Sequence, residues 1–287
     1  MKTLDTFNPI TVFIFYVFAI GIPMFTFDPV IAAASLLFGI VFDVVSSGKF
    51  GKKYIFVFVL FAVFSLINPI FNQKGTTALF FINDIPITLE SLIYGIVSSC
   101  AISAVIVWFF TFSSIMTSEK IMYLFGRISP KIALVISMVL RFVPLYLKNY
   151  TETENALKCL GLYKTDTFLG ILRLKSRAFS SILTRCTEDG IITADSMEVR
   201  GYGKGKRTFF SLFTFKRLDA LFCISFIVLG ILSFIFVKDM QFYPKMSDSA
   251  VLYTNTIGYI SYGILIMIPT FIKITEGIRW KLLLSKI

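Results

Sequence analysis

Six long apolar runs divide this chain: about Ile10–Phe27, Val30–Val45, Tyr54–Phe71, Ile87–Phe112, Leu218–Val237 and Val251–Ile272. Each is close to the roughly 20 residues that a helix needs to cross a bilayer core. The second is short and needs snorkelling flanks or local thinning. Gly21, Pro23, Gly39, Gly95, Gly263 and Pro269 fall inside these runs, where neighbouring helices can cover the freed backbone. The first run has a weakly charged start and ends in Phe27-Asp28-Pro29. That is no small-residue cleavage site, so it is expected to be a retained span and not a signal peptide.

Between the fourth and fifth runs the pattern changes. The stretch KIALVISMVLRFVPLYL, Lys131–Leu147, is apolar but carries Arg141 and Pro144. A central arginine costs roughly 2.5–3.5 kcal/mol on insertion, so a seventh span is rejected here. Ser137, Arg141, Lys148, Glu152 and Asn155 recur near helical spacing, which predicts one polar stripe on a long amphipathic helix. A second such helix is predicted over about Lys175–Arg200. Phe179, Ile182, Leu183, Cys186, Gly190, Ala194 and Met197 fall on one face, with Arg177, Ser181, Arg185, Glu188 and Glu198 largely opposite. Gly190 and Ala194 form a small-x-x-x-small pair that permits close helix approach; they are equally readable as ordinary small core residues. The predicted class is all-α, a polytopic membrane protein of about six transmembrane helices with a cytoplasmic insert of amphipathic coupling helices. Residues 1–112 hold helices 1–4, 113–217 the insert, and 218–287 helices 5–6.

Charge orients this arrangement. With the N-terminus inside, 25 of the 28 lysines and arginines fall on the inner side, and only Lys74, Lys238 and Lys245 fall outside. The positive-inside rule then holds at every short loop, with both termini cytoplasmic. The net charge of +11 is therefore explained by inner loops, and no nucleic-acid partner is expected. Only 16% of residues are charged, and the mean hydropathy is +0.80. Soluble domains lie near about 25% charged, so the lipid bilayer of the cell membrane is the expected surrounding.

Candidate chemistry is sparse. With no histidine, the chain lacks the commonest metal ligand and proton shuttle. Cys100, Cys159, Cys186 and Cys223 form no CxxC pair and read as unpaired thiols. Neither Gly48–Lys53 nor Gly201–Arg207 has the spacing of a phosphate-binding loop. Asp28, Asp43, Glu90 and Asp219 all sit at the ends of runs, an interfacial placement unlike a midplane substrate site. No enzyme activity, cofactor or metal site is expected. What stands out is a helix end. In Glu198-Val199-Arg200-Gly201 the glycine can adopt the left-handed conformation that closes a helix, and the basic residue complements the helix dipole. That describes an ordinary helix C-terminus. It also describes a rigid mount presenting the Arg200 fork to a carboxylate.

Asn8-Pro9 before the first run, NPIFNQKG (68–75), LRFVPL (140–145) and SMEVRGYG (196–203) together resemble the transmembrane T component of energy-coupling factor transporters. That family is related to the permease of cobalt uptake systems. The resemblance is expected over nearly the whole length. It implies a non-catalytic coupling subunit of an ABC-type importer for vitamins or metal ions. Its implied partners are two ABC-type ATPase subunits, docked from the cytosol, and a membrane-embedded S component that binds the substrate. The family's second Ala-Arg-Gly motif matches Arg200-Gly201, with Val199 in place of alanine. The first should close the earlier helix, which reads Lys158-Cys159-Leu160-Gly161: the glycine is kept and leucine replaces arginine. The resemblance thus implies ATPase docking by Arg200, Gly201, Glu198, Leu160, Gly161 and Lys158, with Arg200 the charged anchor and Leu160 an apolar one. Arg141, Phe179, Gly190, Ala194 and Met197 are expected in the core of the coupling helices. A self-sufficient carrier that binds its own solute is the alternative.

Overall fold

A computed structural model describes residues 7–26, 28–47, 51–71, 78–82, 85–161, 167–205, 213–237 and 256–284. Among them are nine helices: α1 Pro9–Phe25, α2 Pro29–Ser47, α3 Lys52–Phe71, α4 Leu89–Ile115, α5 Ser118–Ile128, α6 Pro130–Cys159, α7 Phe168–Val199, α8 Arg217–Val237 and α9 Thr256–Leu284. The all-α class therefore stands. One element was not expected: strands β1, Ala78–Ile82, and β2, Ile85–Thr88, pair antiparallel with Ile82 opposite Ile85 and Phe80 opposite Ile87. The ribbon leads directly into α4, whose first turn is capped by the Thr88 hydroxyl accepting from Ser91 N at 3.2 Å.

Six helices are long and apolar enough to cross a membrane: α2, α3, α4, α6, α8 and α9. The number matches expectation, but the membership differs. The first apolar run forms α1, only 17 residues long, because Asn8 and Pro9 start it and Thr26, with extended backbone, caps its end. Asn8 caps it through Oδ1, 3.1 Å from Ile10 N. Conversely α6, which sequence reasoning kept out of the membrane, meets the length and hydropathy criteria. The helix runs unbroken through Pro144 to Cys159, which joins its apolar first half to a polar second half. The second run is extended to 19 residues in α2 because Asp28 accepts from Val30 N at 2.9 Å and caps its start. Phe27 and residues 251–255 of the expected spans lie outside the described residues.

The chain forms two compact units, Met1–Lys120 with Phe213–Ile287, and Ile121–Leu212. In the first, α4 packs against α1, α2 and α3; α1 against α8; α8 against α9; and α9 back against α2. This closes a ring of five helices with α3 on its flank. The ring is centred on Trp108, fully buried. Phe15 and Tyr16 meet it edge-on, at 5.6 and 6.1 Å between centroids, and Phe42 stacks on it at 5.9 Å. Its indole N–H donates to Ser35 Oγ at 3.0 Å, so its one polar atom is satisfied.

Three of the four acidic residues at the run ends are packed against neighbouring helices, and Glu90 is half-buried. Asp28, Asp43 and Asp219 are all buried. Asp28 accepts from Tyr259 Oη at 2.6 Å, Asp43 from Tyr54 Oη and Lys53 Nζ, and Asp219 from Lys216 N at 3.0 Å. Buried charge is tolerable when paired or hydrogen-bonded in this way.

Candidate functional site

The second unit is built on α6 and α7. Met138 and Phe142, early in α6, share one groove with Gly190, Thr193, Ala194, Met197, Glu198 and Tyr202, late in α7. The two helices are therefore antiparallel, and their C-terminal ends lie at opposite ends of the pair. The 32 residues of α7 at 1.5 Å each separate the two ends by about 48 Å.

Both ends close on a left-handed glycine. Gly201 has φ +80° and Gly161 φ +63°, the left-handed conformation that glycine adopts without a Cβ penalty. At the α7 end, Gly201 N donates to Glu198 O at 2.9 Å and Tyr202 N to Met197 O at 3.0 Å. This pair of bonds is the complete Schellman closure. At the α6 end, Gly161 N donates to Lys158 O at 3.0 Å. The glycine stops read from sequence are thus helix stops in the structure, including the one that has lost its arginine.

The side chains mounted on these caps differ. Arg200 is exposed, and among the described residues no carboxylate pairs with it. Val199 beside it is 89% exposed, and Glu198 is exposed as well. At the other end Leu160 is 68% exposed. Lys158 is held by Glu154, Nζ to Oε1 2.7 Å, one turn back on the same helix. One tip therefore offers a free guanidinium and the other an apolar side chain beside an engaged ammonium.

Ser137, Arg141, Lys148, Glu152 and Asn155 are all exposed, as a polar stripe on α6 requires, and Lys148 lies 3.8 Å from Glu152. Within this chain the expected coupling-helix core is not a core. Arg141, Phe179, Gly190 and Ala194 are exposed, Phe179 by 58%, and Met197 is half-buried. The residues of α7 that are buried are Leu174, Ala178 and Ile182. The reason is that α7 is apolar around more than one stripe: Phe168, Leu169, Leu172, Ile191 and Ile192 are exposed too. Periodicity then finds an apolar face without saying which line the fold uses. A Cβ added at Gly190 would meet nothing within 4 Å, so the Gly190–Ala194 pair makes no close helix contact here. Tyr202, which completes the cap and lines the groove, was missed; its place two residues after Arg200 was the available signal.

No curated protein matches this chain. The family described as CbiQ, cobalt transport protein, matches residues 2–212. The match covers α1 through α7 and ends before α8 and α9, short of the near-full-length resemblance expected from the motifs. It spans well over half the sequence and includes both capped helix ends, and so the chain, a multi-pass membrane protein by its helices, belongs to the CbiQ family, the transmembrane T component of cobalt and energy-coupling factor transport systems.

Proposed function

We propose that this chain is the non-catalytic coupling subunit of an energy-coupling factor importer for a vitamin or metal ion. Two ABC-type ATPase subunits dock at the ends of α6 and α7, and a separate membrane-embedded S component carries the substrate. The observation that carries this reading is the pair of helix ends closed by left-handed glycines, about 48 Å apart, with Arg200 exposed at one of them and without a carboxylate partner among the described residues. A left-handed glycine immediately after the presented side chain fixes its direction of approach. Two well-separated mounts suit two separate receptors better than one. Docking is asymmetric: Arg200 reaches a carboxylate with its planar fork, and Leu160 enters an apolar contact.

The charge distribution supports cytoplasmic termini and a cytoplasmic insert over residues 113–217, flanked by membrane segments 1–112 and 218–287. In this reading α6 is not a span. Arg141 and the charged second half, with Lys148, Glu152, Glu154 and Lys158, keep it with α7 on the inner side, where 25 of the 28 basic residues also fall. ATPase closure moves the two helix ends relative to each other, and the apolar faces of α6 and α7 pass the movement to the membrane components.

Purification of the tagged chain in mild detergent tests the proposal. Co-purification of two ATPases and one small membrane protein is the expected outcome. Transport of a solute by the chain alone in liposomes would refute it.

A further inference from the structure

Helix α5, SEKIMYLFGRI, is turned the wrong way for a helix facing water. Among its described side chains the buried ones are Lys120, Tyr123 and Gly126, two steps of three that define one face. That face holds an ammonium, a phenol and a glycine, while Ser118 and Glu119 in the first turn are exposed. The opposite side carries Ile121, Leu124 and Phe125, with Phe125 42% exposed and the other two partly exposed. An ordinary surface helix shows the reverse, apolar in and polar out.

The helix begins where a membrane span stops. α4 is 27 residues long, ends at Ile115, and is followed by only two residues before Ser118. The join is fixed: Lys120, 5% exposed, donates from Nζ to Ile115 O at 2.9 Å. An ammonium on a carbonyl of the last turn also suits the negative end of the helix dipole. The start of α5 is thereby tied to the end of α4, and the apolar side of the same helix is at least partly exposed.

We infer that α5 lies in the membrane interface with Ile121, Leu124 and Phe125 sunk among the lipid headgroups and upper acyl chains, the partner being the bilayer surface itself. An amphipathic helix running straight off a span has its apolar face at the depth where such helices bind. The buried Lys120 is the device that sets that depth, because it shortens the turn between span and interfacial helix to two residues.

Single cysteines at Phe125, Ile121 and Glu152, in a chain whose four native cysteines have been replaced, test this in nanodiscs holding the chain alone. A charged, water-soluble maleimide should label F125C and I121C at least about tenfold more slowly than E152C, as expected for side chains immersed in the interface. A fluorophore on F125C should be quenched by nitroxide lipids labelled at shallow acyl positions, while one on E152C should not. Equal labelling at all three sites overturns the inference. So does protection of 121 and 125 that appears only after a protein partner is added, since that assigns the face to protein and not to lipid.

Discussion

Replacing Gly201 by alanine isolates what the left-handed cap contributes. A Cβ built on Gly201 would meet nothing within 4 Å, so crowding by neighbours plays no part. The cost is conformational alone. Holding an L-residue at φ +80° costs roughly 1–2 kcal/mol. That penalty falls on two hydrogen bonds, Gly201 N to Glu198 O and Tyr202 N to Met197 O, which exist only while the residue stays left-handed. One to two kcal/mol shifts an opening equilibrium by a factor of about 5–30. Hydrogen exchange should therefore quicken by that factor at the amides of Gly201 and Tyr202 in Gly201→Ala. The amides of Leu160 and Gly161, at the far end of the antiparallel pair, should not change. Gly201→Asn should fall between wild type and alanine, since asparagine tolerates this region better than other side chains. Unchanged exchange at Gly201 and Tyr202 would refute the cap reasoning. A matching change at Gly161 would refute the independence of the two ends.

Arg200→Ala should leave the melting temperature of the purified chain unchanged, because the side chain is exposed and unpaired, yet weaken ATPase binding in a nanodisc titration by about 30-fold or more, the loss of a charge pair costing about 2–5 kcal/mol. Leu160→Ala should cost less there, and equal losses would count against asymmetric docking. Gly230→Ala drives a Cβ into Cγ and Cδ1 of the Phe18 ring; repacking should cost about 1–3 kcal/mol, seen as a lower midpoint in thermal melting in detergent. Tyr259→Phe removes the hydroxyl that donates to buried Asp28 and should destabilise by about 1–3 kcal/mol; a melt identical to wild type would show that Asp28 does not need that donor.

What the sequence reveals here depends on how local the cause is. Span positions follow from composition over about 20 residues, so α2, α3, α4, α8 and α9 appear where the apolar runs do. The glycine stops at 161 and 201 follow from one residue's freedom at a helix end, and both were readable. The packed line of α7 was not. Leu174, Ala178 and Ile182 compete with several other apolar lines on the same helix, and only tertiary packing chooses among them. The same holds for the Trp108 indole, whose partner Ser35 is 73 residues away. The partners of the acids at the run ends were not readable, because hydropathy records where a charge sits along a helix, not what a neighbouring tyrosine or lysine offers it. In α5 the polar and apolar positions were in plain view, but which side the fold buries could only come from the structure.

The six helices of the membrane unit are joined by more than apolar contact. Thr11 Oγ1 donates to Asp219 O, tying α1 to α8; Tyr262 Oη to Ala19 O, tying α9 to α1; Tyr259 to Asp28, tying α9 to the start of α2. Asn68 donates to Ser98, α3 to α4; Trp108 to Ser35, α4 to α2; and Lys53 pairs with Asp43, α3 to α2. These act as cross-braces at different heights. In a solvent that offers no replacement partner, a helix that slid one turn along its neighbour would strand both ends of a brace. The bundle should therefore respond to force as a stiff frame that tilts as one piece, and the lipid around it, not its own interior, should take up the deformation.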